Sequence, residues 1–252
     1  MSLDGKVCII TGGGSGIGRS TALMMAGEGA RVVMVGRTAA KVVAVKEEIQ
    51  AAGGTAEAFG LDVADYDAVN SMVKSVLDSF GRIDVLVNNA GHSSPHRSLL
   101  TTTAEEIRGV LDSNLVGTIY CTQAVVPSML EAKQGTVINV ASLAGINPGL
   151  LGGMIYSAAK AAVINFTEFL NDSEFVNTGI RASAVIPGEI DTPILDKRPI
   201  PPSAEARATM ATPEDTAEAI TLIARLPQRT AIPELVVRPT FRRDTSAELK
   251  SV

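Results

Sequence analysis

The sequence predicts one α/β domain, in which a doubly wound parallel β-sheet carries helices on both faces. Apolar runs of strand length alternate along the chain with longer stretches of helical character, which is typical of parallel strands joined by crossover helices. A cluster of glycines directly follows the first run, where the first strand would turn into the first helix. A length of 252 residues and a hydrophobic content of 46% fit a single large domain with a substantial core.

Seven apolar runs are predicted to form the strands. They are residues 7–11, 31–36, 55–61, 85–88, 136–141, 181–186 and 232–237. Two helix starts carry sequence signals, namely a capping box from Thr103 to Glu106 and Thr212 before Pro213, since proline suits the first helical turn. We therefore assign residues 1–241 to one domain and expect residues 242–252 to form a frayed tail.

Composition narrows the classes of partner. The net charge is -5 and the sequence pI is about 5.2, so no basic field favours nucleic acid or an anionic membrane as partner. The first residues lead into a strand at once, which leaves no room for a signal peptide and predicts a cytoplasmic location. Cys8 and Cys121 fall inside a predicted strand and a predicted helix and are expected to be buried thiols, not a disulfide.

Several short motifs carry residues suited to chemistry. They are Thr11-Gly12-Gly13-Gly14-Ser15-Gly16-Ile17-Gly18 after the first strand, Asn88-Asn89-Ala90-Gly91 at the fourth, Ser142 after the fifth, and Tyr156 with Lys160 further on. Positions i and i+4 share one face of a helix, so the Lys160 ammonium can stand beside the Tyr156 phenol and favour its ionised form. The only histidines, His92 and His96, have no metal-ligand spacing with other residues, and no metal site is predicted.

These motifs resemble the short-chain dehydrogenase/reductase family, and the match runs in order from about residue 6 to residue 192. The family pattern Thr-Gly-x-x-x-Gly-x-Gly is met by Thr11, Gly12, Gly16 and Gly18. The family's Asn, Ser, Tyr and Lys set is met by Asn114, Ser142, Tyr156 and Lys160. The resemblance implies a Rossmann fold with strand order 3-2-1-4-5-6-7 and a nicotinamide-dependent oxidoreductase.

A dinucleotide site is predicted along one edge of the sheet. Backbone N–H groups of the glycine cluster and the dipole of the helix that it opens can meet a pyrophosphate. Together with the family pattern, this gives a cofactor set of Gly12, Ser15, Gly16, Ile17, Gly18, Arg37, Asp62, Val63, Asn89, Ala90, Gly91, Tyr156, Lys160, Pro187, Gly188, Ile190 and Thr192.

The end of the second strand favours NADP over NAD. Enzymes that use NAD usually place a carboxylate there, whereas this chain has Gly36, Arg37 and Thr38. The planar guanidinium of Arg37 can pair with a 2′-phosphate. The alternative is that Arg37 is only a solvated residue beside a helix that Thr38 caps. Asp62 is likewise either an adenine contact, as in the family, or the cap of the next helix.

The resemblance also assigns catalytic roles. Tyr156 is predicted to be the general acid in reduction and the base in oxidation, with Lys160 lowering its pKa and holding the nicotinamide ribose. Ser142 is expected to donate a hydrogen bond to the substrate oxygen. Asn114, within a long predicted helix, binds a water of a proton relay in the family.

The substrate is predicted to be a small, mainly apolar alcohol or ketone. Pocket walls are expected from residues 143–155 and from the loop after Thr192. That loop belongs to the proline-rich residues 187–211, which form a mobile substrate loop in the family. Lys197 and Arg198 in that loop either bind a carboxylate or, as we favour, are merely solvated. The family also implies a homodimer or homotetramer. The alternative to an enzyme is a dinucleotide-binding redox sensor, which would not need all four catalytic residues.

Overall fold

A computed structural model of the chain describes residues 2–249. One sheet of seven parallel strands has the order β3-β2-β1-β4-β5-β6-β7, which confirms the predicted fold class and strand order. The strands are β1 Val7–Thr11, β2 Arg31–Gly36, β3 Thr55–Gly60, β4 Val85–Asn88, β5 Gly135–Val140, β6 Ile180–Pro187 and β7 Glu234–Val237.

The helices connect successive strands. They are α1 Gly16–Gly27, α2 Ala39–Ala51, α3 Tyr66–Phe80, α4 Ala104–Leu111, α5 Gly117–Ala132, α6 Met154–Phe169, α7 Ala204–Arg207 and α8 Pro213–Arg225. The predicted capping box begins α4: the Glu106 N–H donates to Thr103 Oγ1 over 3.2 Å, and the Thr103 N–H donates to Glu106 Oε2 over 2.8 Å. Thr212 caps α8 in the same way with Asp215.

Two hydrophobic layers cover the sheet. On one face α1, α2 and α8 bury side chains such as Met25, Ile49 and Ile220, and on the other face α3 and α5 bury Val73 and Met129. The central strands β5 and β6 are buried along their whole length, as expected for parallel strands between two helical layers.

Both cysteines are buried free thiols, as predicted. Burial raises the pKa of Cys8 and the pKa of Cys121 to about 12, because the thiolate loses hydration in the core. These thiols are therefore packing groups and not nucleophiles.

The segment of residues 187–211 is mostly irregular, as its prolines predict, but it contains a 3₁₀ turn at Pro193–Lys197 and the single turn of α7. In the tail, Arg243 and Glu248 have side chains only 8% exposed and pair with each other, while most residues around them are exposed. Residues 250–252 lie outside the described part of the chain, and a frayed tail over residues 242–252 stays a prediction.

Within residues 2–249, no helix combines the length and the apolar character that crossing a bilayer requires.

Candidate active site

The carboxyl ends of β1 and β4 form the centre of the site, at the point where the strand order reverses. The Thr11 hydroxyl oxygen accepts hydrogen bonds from the backbone N–H groups of Asn89 and Ala90, both over 2.9 Å. The Asn89 side chain donates back to the Thr11 carbonyl over 3.0 Å. These bonds fix two loops side by side in the crevice where such folds bind ligands.

In the glycine cluster, the backbone at Gly18 lies very close to the backbone at Gly12. A Cβ at Gly18 would lie 2.3 Å from the Gly12 carbonyl oxygen and 2.5 Å from Asn89 Nδ2, so only glycine fits. Ser15 stands at the N-cap of α1 and makes no side-chain capping bond, and the first turn holds no acidic residue. The leading N–H groups of α1 are thus left for an anionic ligand.

The start of the substrate loop lies over this cluster. A Cβ at Gly16 would be 3.3 Å from Thr192 Cγ2, so Thr192 is a direct neighbour of the glycine turn. Gly188, which follows Pro187 at the end of β6, donates its N–H to the Val237 carbonyl over 2.7 Å. Ile190 is buried and pairs with Ala211 in an isolated bridge. Of these loop residues, Thr192 is the one that the structure places against the glycine turn.

Arg37 extends from the end of β2 with its side chain 57% exposed. Its Nη1 atom is 3.9 Å from Asp62 Oδ2, a loose and solvated pair. Asp62 does not cap α3, so that alternative was wrong: Asp65 caps it by accepting from the Ala68 N–H over 3.0 Å. Thr38 occupies the N-cap of α2 without a side-chain bond.

Val63 is buried beside Gly117 at the start of α5, where a Cβ would come within 2.4 Å of Val63 Cγ2. Packing against α5 thus fixes the backbone just after β3. An adenine contact at Val63 stays a prediction.

Asn114 lies in a π-helical turn, Asp112–Val116, between α4 and α5. The prediction of one continuous helix missed this turn. The Asn114 Nδ2 atom donates to the His92 carbonyl over 2.8 Å and to the Val110 carbonyl over 2.9 Å. The Asn114 Oδ1 atom is buried without a partner among the described residues. A Cβ at Gly91 would be 2.3 Å from that oxygen. Asn114 therefore offers a free acceptor beside the end of β4, and π turns of this kind are frequent at functional sites.

Ser142, Tyr156 and Lys160 converge beyond β5. Ser142 begins the 3₁₀ turn Leu143–Gly145, and its hydroxyl accepts from the Ala144 N–H over 3.2 Å. Lys160 is 4% exposed and donates from Nζ to the Val140 carbonyl over 2.7 Å. Its Nζ atom lies 5.7 Å from the centroid of the Tyr156 ring. The Ser142 hydroxyl also forms a hydrogen bond with the Tyr156 phenol, so the three side chains are neighbours.

Several groups act on the ionisation of Tyr156. Burial raises the pKa of the Tyr156 phenol, while the Ser142 hydroxyl and the guanidinium groups of Arg97 and Arg198 act to lower it. Burial also lowers the pKa of Lys160, to about 8. The Lys160 ammonium donates to the Val140 carbonyl, and its effect on the phenol stays a prediction.

Arg97 is a buried charged residue near Tyr156 that the sequence analysis did not single out. It lies in the loop between β4 and α4, is 4% exposed, and its carbonyl accepts from the N–H of Met154 at the start of α6 over 2.9 Å. Its position soon after Asn88-Asn89-Ala90-Gly91 was a usable signal, because loops at the carboxyl ends of parallel strands carry ligand-binding residues.

Arg198 corrects a second expectation. We favoured a merely solvated loop arginine, but its side chain is 11% exposed and pairs with Glu189 over 3.2 Å and with Glu248 over 2.9 Å. Lys197 is exposed. Apolar Leu150 and Leu151 do line the nearby crevice, together with both arginines. Arg198 is therefore an ion-paired residue of the crevice wall and not a solvated one.

The two histidines are held by side-chain partners. His92 Nδ1 lies 2.8 Å from the Ser113 hydroxyl in the π-helical turn, and burial followed by nearby Arg37 lowers its pKa. His96 Nδ1 lies 2.9 Å from Glu106 Oε1 at the start of α4. Both side chains thus brace the loop that carries Arg97.

The buried ammonium of Lys160 makes stability depend on pH. The pKa of Lys160 in the folded protein is about 8, below the value of 10.5 for a free lysine. Burial of the charged ammonium therefore lowers the free energy of unfolding by its full amount below about pH 8, and by less as the pH rises towards 10.5. Lys160→Met should raise the free energy of unfolding of the ligand-free protein by about 1 to 3 kcal/mol near pH 7 and by less near pH 9.5. Urea unfolding at both pH values measures it. Lys74→Met, at a side chain 75% exposed, is the control and should show no such dependence; an equal effect of Lys160→Met at both values contradicts the assignment.

Comparison with known proteins identifies the family. The family model for short chain dehydrogenase matches residues 6–200, and the chain belongs to the short-chain dehydrogenase/reductase family of oxidoreductases. A 3-oxoacyl-[acyl-carrier-protein] reductase of Thermotoga maritima is 39% identical over 201 residues, covering 79% of this chain and 80% of the relative.

Two solved structures are similar over nearly the whole chain. A metagenomic short-chain oxidoreductase in complex with NADP has a TM-score of 0.82 at 34% identity, covering 96% of this chain and 100% of that one. A 3-ketoacyl-(acyl-carrier-protein) reductase from Brucella melitensis complexed with NADH has a TM-score of 0.85 at 31% identity, covering 94% and 98%.

Proposed function

We propose that this protein is an NADP-dependent oxidoreductase that interconverts a ketone and a secondary alcohol. The observation that carries the proposal is the convergence of Ser142, Tyr156 and Lys160 beyond the end of β5, in a chain whose Asn114 supplies a free buried acceptor. The glycine cluster follows β1 at the same edge of the parallel sheet. A protein that only binds a dinucleotide, such as the redox sensor considered above, has no need of this set.

The cofactor residues fit a dinucleotide with a 2′-phosphate. The Gly12 to Gly18 turn has no room for side chains, and the first N–H groups of α1 are uncapped, which suits a pyrophosphate. Arg37 is exposed where β2 ends, and its one ion pair within residues 2–249 is the loose contact of 3.9 Å with Asp62. A bound 2′-phosphate could replace that contact. The metagenomic relative that carries NADP supports this choice.

When bound, NADPH supplies the hydride for the carbonyl carbon. The Tyr156 phenol gives its proton to the carbonyl oxygen as negative charge develops there, and the Ser142 hydroxyl donates a hydrogen bond to the same oxygen. Lys160 holds the nicotinamide ribose, and the Asn114 side chain offers an oxygen to a water that returns a proton towards Tyr156. Oxidation of the alcohol runs through the same groups in reverse.

A panel of ketones with NADPH, and of the matching alcohols with NADP⁺, tests the proposed activity. We expect the absorbance of NADPH to fall with at least one ketone and to rise with the matching alcohol. A protein that binds NADPH tightly yet turns over no member of the panel is a dinucleotide sensor, and the enzyme proposal is then wrong.

The preference for NADP depends on Arg37. Arg37→Ala should lower kcat/KM for NADPH by roughly 10- to 100-fold, the scale of a charge-assisted hydrogen bond worth about 1.5 to 3 kcal/mol. The value for NADH should barely change. Steady-state kinetics with both cofactors measure the ratio, and Arg229→Ala, at an exposed residue far along the chain beyond α8, is the control. An unchanged ratio in Arg37→Ala contradicts the assignment.

We also propose that the protein is a homodimer or homotetramer. Leu130 on α5 is 44% exposed and Phe169 on α6 is 50% exposed, so two helices of one face leave apolar surface uncovered in the single chain. Light scattering that reports a monomer at micromolar concentration contradicts this.

A further inference from the structure

Arg97 is a buried cation without a carboxylate partner among the described residues. Its side chain is almost fully enclosed, Nη1 donates to the Leu151 carbonyl, and Nε is buried with no hydrogen-bond acceptor. Burial, followed by the charge of Arg198, lowers its pKa to about 10. A buried charge that lacks a partner is costly to the folded protein, so such a residue calls for an explanation.

The other strongly buried arginines of residues 2–249 are satisfied. Arg181 donates to the carbonyl oxygens of Pro227, Thr230, Ile223 and Leu226 and to the Thr136 hydroxyl. Arg198 and Arg243 both pair with Glu189 and Glu248. In that cluster two positive charges meet two negative charges and cancel. Among these buried arginines, only Arg97 leaves a buried guanidinium N–H without an acceptor among residues 2–249.

Arg97 lies beside the reacting group. Its stem is so close to Gly153, at the start of α6, that a Cβ there would lie 3.2 Å from Arg97 Cγ. Tyr156 follows within the first turn of that helix, and the guanidinium is near enough to act on its phenol. Arg97 and Arg198 also share one crevice with the apolar side chains of Leu150, Leu151, Pro199 and Ile200.

We propose that Arg97 binds a carboxylate of the substrate, which would make the substrate a short hydroxy acid and its product the corresponding oxo acid. The inference rests on the proposed oxidoreductase function and names the substrate class of the same site. A carboxylate can accept from Nε and from the neighbouring N–H of the guanidinium, which leaves Nη1 on the Leu151 carbonyl.

The reaction balances with the groups already described. In oxidation the hydroxyl proton of the hydroxy acid passes to the Tyr156 phenolate, the C–H hydride passes to NADP⁺, and the carbon becomes a ketone. The carboxylate undergoes no bond change and serves to orient the substrate. Because Arg97 is so near Tyr156, short 2- and 3-hydroxy acids should be preferred over acids whose carboxylate is many carbons from the hydroxyl.

The test compares each short hydroxy acid with its methyl ester, which has nearly the same shape but no charge. In the unaltered protein kcat/KM for the best acid should exceed that for its ester by roughly 10- to 100-fold, the scale of a charge-assisted pair. Arg97→Met keeps the length of the stem and should bring the ratio close to one. Arg108→Met removes an arginine that is exposed on α4 and should leave the ratio unchanged.

A second measurement covers the case in which Arg97→Met does not fold. Propionate should raise the melting temperature of the unaltered protein with NADP⁺ bound, and propionamide at equal ionic strength should not. Equal shifts of the melting temperature with propionate and propionamide overturn the carboxylate proposal. So does an ester or acyl thioester that is oxidised or reduced as well as the acid. In both cases the oxidoreductase function stands. Absence of turnover with every alcohol, ketone and acid means instead that the proposed function itself fails.

Discussion

Tyr156→Phe should lower kcat by roughly 100- to 10,000-fold, the range attributed to a general acid or base. The ring packs against Val110, Ile155 and Ala159, and phenylalanine retains that packing. Affinity for NADPH should therefore stay within about twofold, since only the proton donor is removed. Steady-state kinetics and a fluorescence titration with NADPH measure the two effects separately.

Tyr120→Phe is the matched control. Tyr120 lies on α5, where its ring meets Tyr66 edge to face at 5.1 Å, so the same hydroxyl is removed away from the pocket. Its kcat should be unchanged. If Tyr156→Phe kept more than about one tenth of the kcat of the unaltered protein, another group would be the general acid. Loss of a general acid is expected to lower kcat by more than about tenfold.

Gly18→Ala should raise the dissociation constant for NADPH roughly 100-fold, the cost of about two charge-assisted hydrogen bonds at about 1.5 kcal/mol each. The new methyl group would lie 2.3 Å from the Gly12 carbonyl oxygen, so the turn before α1 has to shift. The N–H groups that meet the pyrophosphate then lose their alignment. Equilibrium binding of NADPH measures the effect.

The control lies at the other end of the same helix. Gly27 is in the last turn of α1, and a Cβ there would meet no atom within 4 Å. Gly27→Ala should stabilise the helix by about 0.5 to 1 kcal/mol and leave the affinity for NADPH unchanged. If Gly18→Ala binds NADPH as well as Gly27→Ala does, the glycine turn is not the cofactor site.

The arrangement of the strands was largely predictable. Runs such as Val7–Thr11 and Arg31–Gly36 are apolar and bounded by glycine or polar residues, so their positions follow from periodicity. Their order in the sheet came from the family resemblance of the motifs. The same motifs indicated which side chains would meet, because carboxyl ends of neighbouring parallel strands share an edge.

The electrostatics of the pocket were not predictable. The burial of Arg97 depends on contacts with Leu151 and Gly153, more than fifty positions further along the chain. The pair of Arg243 with Glu189 likewise joins the tail to the loop after β6, and composition alone does not indicate it. The π-helical turn at Asp112–Val116 adds one residue to a helical turn, which leaves the helical sequence pattern almost unchanged.

Transfer of deuterium from [4,4-²H₂]NADPH to a ketone tests whether this protein catalyses hydride transfer. The protein would be incubated with the labelled cofactor and a panel of ketones that includes short oxo acids, and the alcohols would be analysed by mass spectrometry. We expect one deuterium on the carbinol carbon of the product and no transfer with Tyr156→Phe beyond its residual rate. Labelled NADPH that binds and yields no deuterated alcohol with any ketone contradicts hydride transfer by this protein.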